Sequence, residues 1–220
     1  MNNIIYSFYQ YFSLFLIYSF IGWLIEVIGS LITSHKLVNR GFLIGPIVPI
    51  WGCGAILITL IIKPTDSIFS LIIASAFICS FLEYIVNYVM EKMFKARWWD
   101  YSHLPLNFNG RIWLGSSLFF GVGGLLIIKY INPFFLNLIS SIDINIFYII
   151  CNVLLIFVLI DFFVSCNIIK NLKLSVSSLR KDYTEEITKK VKDVLVEKSK
   201  DFNRLFKAFP DVNFSFKSKK

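Results

Sequence analysis

Residues 95–124 read KARWWDYSHLPLNFNGRIWLGSSLFFGVGG and separate two long apolar stretches of the chain. The polar first part combines a Trp-Trp pair, an aspartate, a histidine, three basic residues and a Gly-Arg step. A connection of about 20 residues is uncommon unless it is functional or disordered, and disordered segments are poor in aromatic residues. The sequence therefore predicts a structured, functional loop between two membrane helices, although the chain contains no nucleotide-binding or catalytic motif.

The composition on both sides of this loop is that of a membrane protein. Of the 220 residues, 56% are hydrophobic and 16% are charged, whereas a soluble domain carries about a quarter charged residues. The charge is concentrated at one end, because residues 1–169 hold eight basic and seven acidic side chains, and residues 170–220 hold fourteen and seven. The first three quarters of the chain are therefore predicted to lie in lipid.

Five apolar runs reach about the 20 residues that a membrane-spanning helix needs. They cover residues 8–32, 42–62, 67–90, 112–130 and 145–169. All should be helical, since an open strand leaves backbone groups unpaired in lipid. Pro46 and Pro49 predict that the second span is bent or broken near its start, and residues 133–139 are too short to cross, so we expect them at the interface or re-entering. The predicted fold class is an all-α polytopic membrane helix bundle of about five transmembrane helices.

The last part of the chain, residues 170–220, is predicted to be a basic cytoplasmic tail attached to a transmembrane bundle formed by residues 1–169. Apolar side chains recur at three- and four-residue spacing between Leu179 and Phe209, which predicts an amphipathic helix that Pro210 ends. The heptad pattern is imperfect, which disfavours a coiled coil. We expect this helix to lie on the anionic membrane surface or to dock under the bundle.

The basic residues orient the predicted bundle. The loop after the first span, the loop after the third span and the tail are rich in lysine and arginine, whereas the first 25 residues contain none. Because basic loops stay in the cytoplasm, we predict an outside N-terminus and a cytoplasmic C-terminus.

Three carboxylates fall inside predicted spans, namely Glu26, Glu83 and Asp161. Each costs about 2.5–3.5 kcal/mol there, so it needs a partner or a role. In one interpretation, Glu26 with Arg40 and Glu83 with Arg111, or the crossed pairs, form buried ion pairs that fix the packing. In the other, the groups line a polar cavity that opens to the cytoplasm and binds an ion or a polar solute. The cavity candidates are Glu26, Arg40, Glu83, Asn87, Asp100, Asn109, Arg111 and Asp161.

The long loop supplies a second group of candidates, Arg97, Trp98, Trp99, Tyr101 and His103. Aromatic residues next to a span are typical anchors at the membrane interface, and the charged residues beside them could instead contact a phosphate headgroup or a solute. With two histidines in the chain and no carboxylate at ligand spacing, we predict neither a metal site nor another cofactor. The four cysteines lie in apolar runs and indicate buried hydrophobic positions. No nucleic-acid partner is predicted.

A weak internal repeat runs through the first four spans. The segment 22–26, followed by 39–45, resembles the segment 80–84, followed by 109–115, with a glutamate near the end of the first span in each unit. Both units run in the same direction, so a duplication would be parallel.

Several of these segments together resemble a known family. The run 98–102 with Pro105 and residues 107–112, together with residues 22–26 and 39–46, is similar to the bacterial family named putative ABC transporter type IV, or CmpB-like permease. The resemblance covers roughly residues 10–165 and leaves out the tail. It implies a transporter permease in the bacterial cytoplasmic membrane, with any ATP-binding subunit on a separate chain.

The sequence thus favours a multi-pass permease that lies in the lipid bilayer and has a polar intramembrane cavity. The sequence does not decide whether the protein forms a homo-oligomer. One alternative is a membrane enzyme that acts on lipid headgroups, with Asp100 or Glu83 as general base and Arg111 as a phosphate clamp. Another is a regulatory scaffold that uses the basic tail. Since no nucleophile pair is recognisable, we predict no catalytic residue and no enzymatic activity.

Overall fold

A computed structural model describes residues 2–35, 37–39, 41–94, 96–179, 199–209 and 213–214. The helices within them are α1 (Asn2–Ser34), α2 (Pro49–Ile61), α3 (Ile68–Phe94), α4 (Leu114–Leu126), α5 (Asn132–Ser140), α6 (Ile144–Leu179) and α7 (Lys200–Ala208). The strands there are short and form two antiparallel pairs, β1 (Ala96–Arg97) with β4 (Asn213–Phe214) and β2 (Asn107–Phe108) with β3 (Ile112–Trp113). The predicted all-α membrane helix bundle is confirmed.

Among the described residues, four helical stretches are long and apolar enough to cross a membrane: Ile4–Ile32, Ile68–Phe94, Leu114–Ser140 and Ile144–Leu172. They correspond to the first, third, fourth and fifth predicted spans. The second span is different, because α2 has only 13 residues. At a rise of 1.5 Å per residue it is about 20 Å long, shorter than the roughly 30 Å hydrocarbon core. The predicted span 42–62 is therefore helical only in its second half.

The fourth span is longer than predicted. Residues 133–139 neither lie apart nor re-enter, since a π-helical turn at Ile127–Ile131 joins α4 to α5 without a break. Pro133 lacks a backbone N–H, and its ring clashes with the carbonyl four residues earlier in a regular helix. The wider π turn removes that conflict, so the helix passes through the proline. The prediction for residues 133–139 was wrong because it judged these residues alone, as too short to cross, and not as the continuation of the fourth span.

The helix connections define two ends of the bundle. At the end that we call the far side, Ser67 and Asp143 cap α3 and α6 by accepting backbone N–H groups of their first turns. At the other end, which we call the tail side, α1 and α3 end, and α7 packs against the bundle. The 96–113 loop also lies on the tail side.

Small residues let the helices approach closely. A Cβ added at Gly124 of α4 would lie 2.2 Å from the side chain of Ser75 in α3, and one at Gly52 of α2 would lie 2.3 Å from Ser19 Oγ in α1. The helices therefore pair as α1 with α2 and α3 with α4, which is the packing that small residues favour in membranes.

The tail docks under the bundle. Helix α6 continues to Leu179, beyond the predicted span end at 169, and Phe202, Leu205 and Phe206 of α7 form a buried cluster with Trp98, Ile169 and Leu172. Of the two predicted locations for the amphipathic helix, residues 200–208 thus take the position under the bundle. Residues 180–198 of the predicted tail helix lie outside the described residues, as do residues 210–212 and 215–220 of the predicted tail.

Candidate polar site on the tail side of the bundle

The second span is broken by a non-helical segment, residues 41–48. Its last backbone N–H, that of Val48, donates to the carbonyl of Ser19 at 2.9 Å, which places the end of the segment beside the middle of α1. Pro46 and Pro49 explain why the backbone is not helical there, because neither has an N–H to donate. Pro49 instead occupies the first position of α2, where that N–H is not needed.

Non-helical backbone inside a membrane protein needs partners for its N–H and C=O groups, and three side chains supply them here. Asp161 of α6 accepts from the N–H groups of Ile44 and Gly45 at 2.9 and 2.8 Å. Arg204 of α7 donates to the carbonyl of Leu43 at 2.9 Å, and Asn39 donates to that of Ile44 at 2.8 Å. Asp161, predicted to line a cavity, therefore holds the broken span in place.

Arg204 is far from residues 41–48 in the sequence, 161 residues from Leu43. It lies outside the spans, where burial lowers the pKa of its guanidinium and the nearby Asp161 and Asp201 act in the opposite direction. No pattern in the sequence distinguishes Arg204 from the other basic residues of the tail, so sequence reasoning missed it.

The two glutamates of the predicted repeat occupy equivalent positions. Trp51, the third residue of α2, donates from its indole Nε1 to Glu26 of α1 at 3.0 Å. Ser116, the third residue of α4, donates from its hydroxyl to Glu83 of α3 at 3.4 Å. In both units a carboxylate therefore meets the first turn of the next helix, where the helix dipole favours negative charge.

Tyr101 brings the two units together. Its hydroxyl donates to Glu83 at 3.1 Å, and Glu83 itself is only 6% exposed. Burial raises the pKa of the Tyr101 phenol, and the charges of Glu83 and, to a smaller extent, Glu26 raise it further. Both carboxylates thus act on one phenol, which keeps its proton and donates it in a hydrogen bond.

Arg111 does not form the predicted ion pair with Glu83. Its guanidinium pairs with Glu91 at 2.8 Å and donates to Asn87 Oδ1, and it lies over the ring of Tyr84. Asn87 and Glu91 are one turn apart on α3 and nearer its tail-side end, so an arginine entering from the loop reaches them first. The crossed pair with Glu26 is likewise absent among the described residues, and Arg40 lies outside them.

Of the remaining loop candidates, Arg97 and Asp100 form a contact within the loop, and Asn109 attaches the loop to α3. Arg97 pairs with Asp100 at 3.2 Å. Burial tends to raise the pKa of Asp100, but the hydrogen bonds from Ser102 and the charge of Arg97 outweigh it and lower that pKa. Asn109 donates to the hydroxyl of Tyr84 at 3.3 Å. His103 is exposed.

The loop aromatics have partners within the protein, and their predicted interfacial role stays a prediction. Trp98 is 3% exposed and belongs to the cluster under the bundle, and Trp99 donates from Nε1 to the carbonyl of Arg111 at 3.2 Å. Tyr101 is bound to Glu83, as described above. Docking of α7 explains the burial of Trp98, because Phe202, Leu205 and Phe206 pack in the same cluster.

The structure therefore brings together Glu83 and Tyr101, with Asn87 and Arg111 one layer nearer the loop, and Glu26 lies near enough to influence the pKa of Tyr101. Sequence reasoning missed Trp51 and Ser116, whose positions depend on where α2 and α4 begin, and it missed Glu91 near the tail-side end of α3. Two clefts, of about 250 and 280 Å³, lie elsewhere: one between residues 37–39 and α7, the other beside the β2–β3 hairpin. A cavity at the glutamates stays a prediction. The described residues contain no group of three or more side chains suited to hold a metal ion.

A bundle of apolar helices with a broken span and carboxylates held between its helices defines an integral membrane protein with a polar interior. A family model, "Putative ABC-transporter type IV", matches residues 13–166. The chain belongs to this family, and the predicted resemblance is confirmed. No curated protein and no solved structure matches the chain. The matched region ends within α6, so α7 lies beyond it.

Proposed function

We propose that this chain is the membrane permease component of an ABC-type transporter and that it binds its solute at Glu26, Glu83 and Tyr101. The observation that carries the proposal is the pair of glutamates at the first turns of α2 and α4, next to a broken span. Transporters of several folds place solute and ion sites at such discontinuous helices. The family match supports a transport role.

The chemistry of the site favours a cation or a protonated group. Within the described residues Glu83 has hydrogen bonds from Tyr101 and Ser116 but no ion pair. A buried carboxylate without a positive partner is costly, and a bound cation or proton would offset that cost. The basic residues nearest in the loop, Arg97 and Arg111, are already paired with Asp100 and Glu91. We therefore assign the glutamates to binding and the arginines to holding the loop.

The proposal includes a location and a partner. The tail side faces the cytoplasm of a bacterial cell, in line with the basic loops, and an ATP-binding subunit on a separate chain docks there. The chain moves its solute without changing it chemically, and it can assemble with a second copy of itself.

Affinity purification of the tagged chain in mild detergent tests the partner. We expect an ATP-binding protein to co-purify, and its recovery to be unchanged by Glu83→Gln, because Glu83 lies inside the bundle. Recovery of no ATP-binding protein would contradict the ABC-type assignment.

Thermal unfolding of the purified chain tests the site. We expect one of a series of added cations, including Na⁺, K⁺, Mg²⁺ and organic ammonium ions, to raise the unfolding midpoint of the parent but not of Glu83→Gln. Asp66→Asn, at the far side, is the control and should keep the response. A response that Glu83→Gln leaves intact would rule out this site.

A further inference from the structure

A basic cleft lies on the tail side, between the end of α1 and helix α7. It has a volume of about 250 Å³ and is lined by residues 37–39 together with Lys200, Asn203, Arg204 and Lys207. Among the described residues, its lining thus contains three cationic side chains and two amides but no carboxylate. A cleft with this composition has the chemistry of an anion site.

The cationic residues form one face of α7. Lys200, Arg204 and Lys207 are four and three residues apart, so they share a side of the helix, and the opposite side carries Phe202, Leu205 and Phe206 in the buried cluster. Because the apolar side fixes α7 against the bundle, the basic side is held facing residues 37–39. The cleft is therefore formed by packing and does not depend on mobile lysine side chains alone.

The positive charge of the cleft is only partly neutralised. Arg204 interacts with Asp161 and Asp201 and donates to backbone carbonyls of the broken span. Lys200 and Lys207 form no ion pair within the described residues. The buried Nε of Arg204 also lacks a hydrogen-bond partner there. Like charges on one helix face repel each other, and a bound anion would relieve that repulsion.

We propose that this cleft binds a phosphate group, and that the phosphate is the headgroup of an anionic phospholipid. The surroundings favour the lipid source, because Leu37 in the cleft is 78% exposed and Ile32, at the end of the first span, is 70% exposed. An acyl chain can therefore lie along α1 while its phosphate meets Lys200 and Lys207. Basic pockets beside spans bind lipid headgroups in this manner.

Bound phosphate would also reinforce the tail. Arg204 lines the cleft and at the same time donates to the carbonyls of Gly41 and Leu43. A ligand that holds α7 in place therefore holds the broken span as well. We expect its binding to raise the midpoint of thermal unfolding of the whole chain.

The experiment uses the full chain in a nonionic detergent and three probes: dioctanoyl phosphatidylglycerol, inorganic phosphate and dioctanoyl phosphatidylcholine. The test variant is Lys200→Gln/Lys207→Gln. The control variant is Lys63→Gln/Lys170→Gln, which removes the same charge from two exposed lysines outside the cleft. Because each basic residue near an anionic headgroup contributes about a fivefold effect, we expect the test variant to bind phosphatidylglycerol roughly 10- to 30-fold more weakly.

The outcomes separate the two sources of phosphate. Saturable binding of phosphatidylglycerol alone, weakened in the test variant and not in the control, supports the lipid headgroup. Binding of inorganic phosphate with the same dependence on the lysines supports a phosphate site filled from solution. The proposal would be overturned if both variants bound phosphatidylglycerol equally weakly. It would also be overturned if neither phosphatidylglycerol nor inorganic phosphate bound saturably. Phosphatidylcholine should bind with equal affinity to all three proteins.

Discussion

At the scale of single residues, the partner of each charge is set by where its helix or loop enters the bundle. Arg111 meets Glu91 and Asn87 because these lie at the tail-side end of α3. Glu83 lies two turns deeper and is met by Tyr101, whose side chain carries no charge. The sequence identified the residues of this region correctly as polar groups that need partners, but it assigned the wrong partner to Arg111.

The pairing of Arg111 with Glu91 predicts a specific energetic coupling. Arg111→Gln should lower the free energy of unfolding, because it removes the closer of the two cations that pair with the partly buried Glu91 and leaves only Arg97, at 3.4 Å. Glu91→Gln should be less harmful in the Arg111→Gln background than alone, with a coupling of about 0.5–3 kcal/mol in a double-mutant cycle. The measurement is equilibrium unfolding in detergent. The matched cycle of Arg111 with Glu83 should show much weaker coupling, and the reverse order would contradict the pairing.

The loop also depends on Gly110, which has a φ of +65°. A Cβ there would lie 2.2 Å from Ser102 Oγ and 2.3 Å from Asp100 Oδ1. We expect Gly110→Ala to destabilise the protein by about 1 kcal/mol or more, through the unfavourable φ and the clash.

The midpoint of thermal unfolding measures this effect. Gly123→Ala is the control, since an added Cβ at this helical position would meet nothing within 4 Å. If both variants unfold at the temperature of the parent, the conformation of Gly110 is not required.

At the scale of elements, the broken second span is the feature that positions the site. Residues 41–48 give up helical hydrogen bonds, and Asp161, Arg204 and Asn39 replace them. As a result α2 begins in the middle of the bundle, and Trp51 reaches Glu26. Pro46 and Pro49 allowed this break to be predicted from the sequence. The side chains that stabilise it come from α6 and α7 and could not be predicted.

Asp161 should therefore control the order of residues 41–48. Leu43 is 1% exposed, so in a background without the native cysteines Leu43→Cys should resist labelling by a maleimide. Adding Asp161→Ala removes the acceptor for two backbone N–H groups, and we expect labelling to become at least several times faster because unpaired backbone groups destabilise the segment.

Two controls accompany this measurement. Leu37→Cys, at an exposed position, should react rapidly with or without Asp161. Ser165→Ala removes only the hydroxyl that donates to Asp161 and should have a small effect. Unchanged protection of Leu43→Cys in Asp161→Ala would show that Asp161 does not hold the segment.

At the scale of the whole molecule, four helical stretches are long and apolar enough to cross a membrane, among them α4, the π turn and α5 as one continuous stretch. Helix α2 and residues 41–48 connect the end of α1 to the start of α3, and the predicted fifth crossing at this place stays a prediction. The 96–113 loop and α7 therefore lie at one end of the bundle, and the turns around residues 63–67 and 141–143 at the other. The direction in which this bundle lies in the membrane is a prediction from the basic residues.

Cysteine labelling of intact cells measures this direction. In a cysteine-free background, we expect Thr65→Cys and Asp143→Cys to react with a membrane-impermeant maleimide added from outside. His103→Cys should react only after permeabilisation, because the positive-inside rule places the basic loop in the cytoplasm. Labelling of Thr65→Cys and Asp143→Cys on opposite sides of the membrane would contradict the prediction of five crossings. If only His103→Cys reacts from outside, the orientation of the bundle is opposite to the predicted one.

The sequence by itself determined the class of the protein and the positions of most of its helices. Hydropathy and helix length are local properties, so the spans of α1, α3 and α6 could be read directly, as could the break at Pro46 and Pro49. The need of Glu26, Glu83 and Asp161 for partners also followed from the cost of charge in lipid.

Only the tertiary structure decided which groups meet. Leu43 and Arg204 are 161 residues apart, and Ile44 and Asp161 are 117 apart, so their contact depends on how α2, α6 and α7 pack and not on any local pattern. The burial of Trp98 and the passage of the fourth span through Pro133 have the same origin. The neighbouring helix α7 covers Trp98, and a π turn accommodates Pro133. Neither effect is a property of the residue alone.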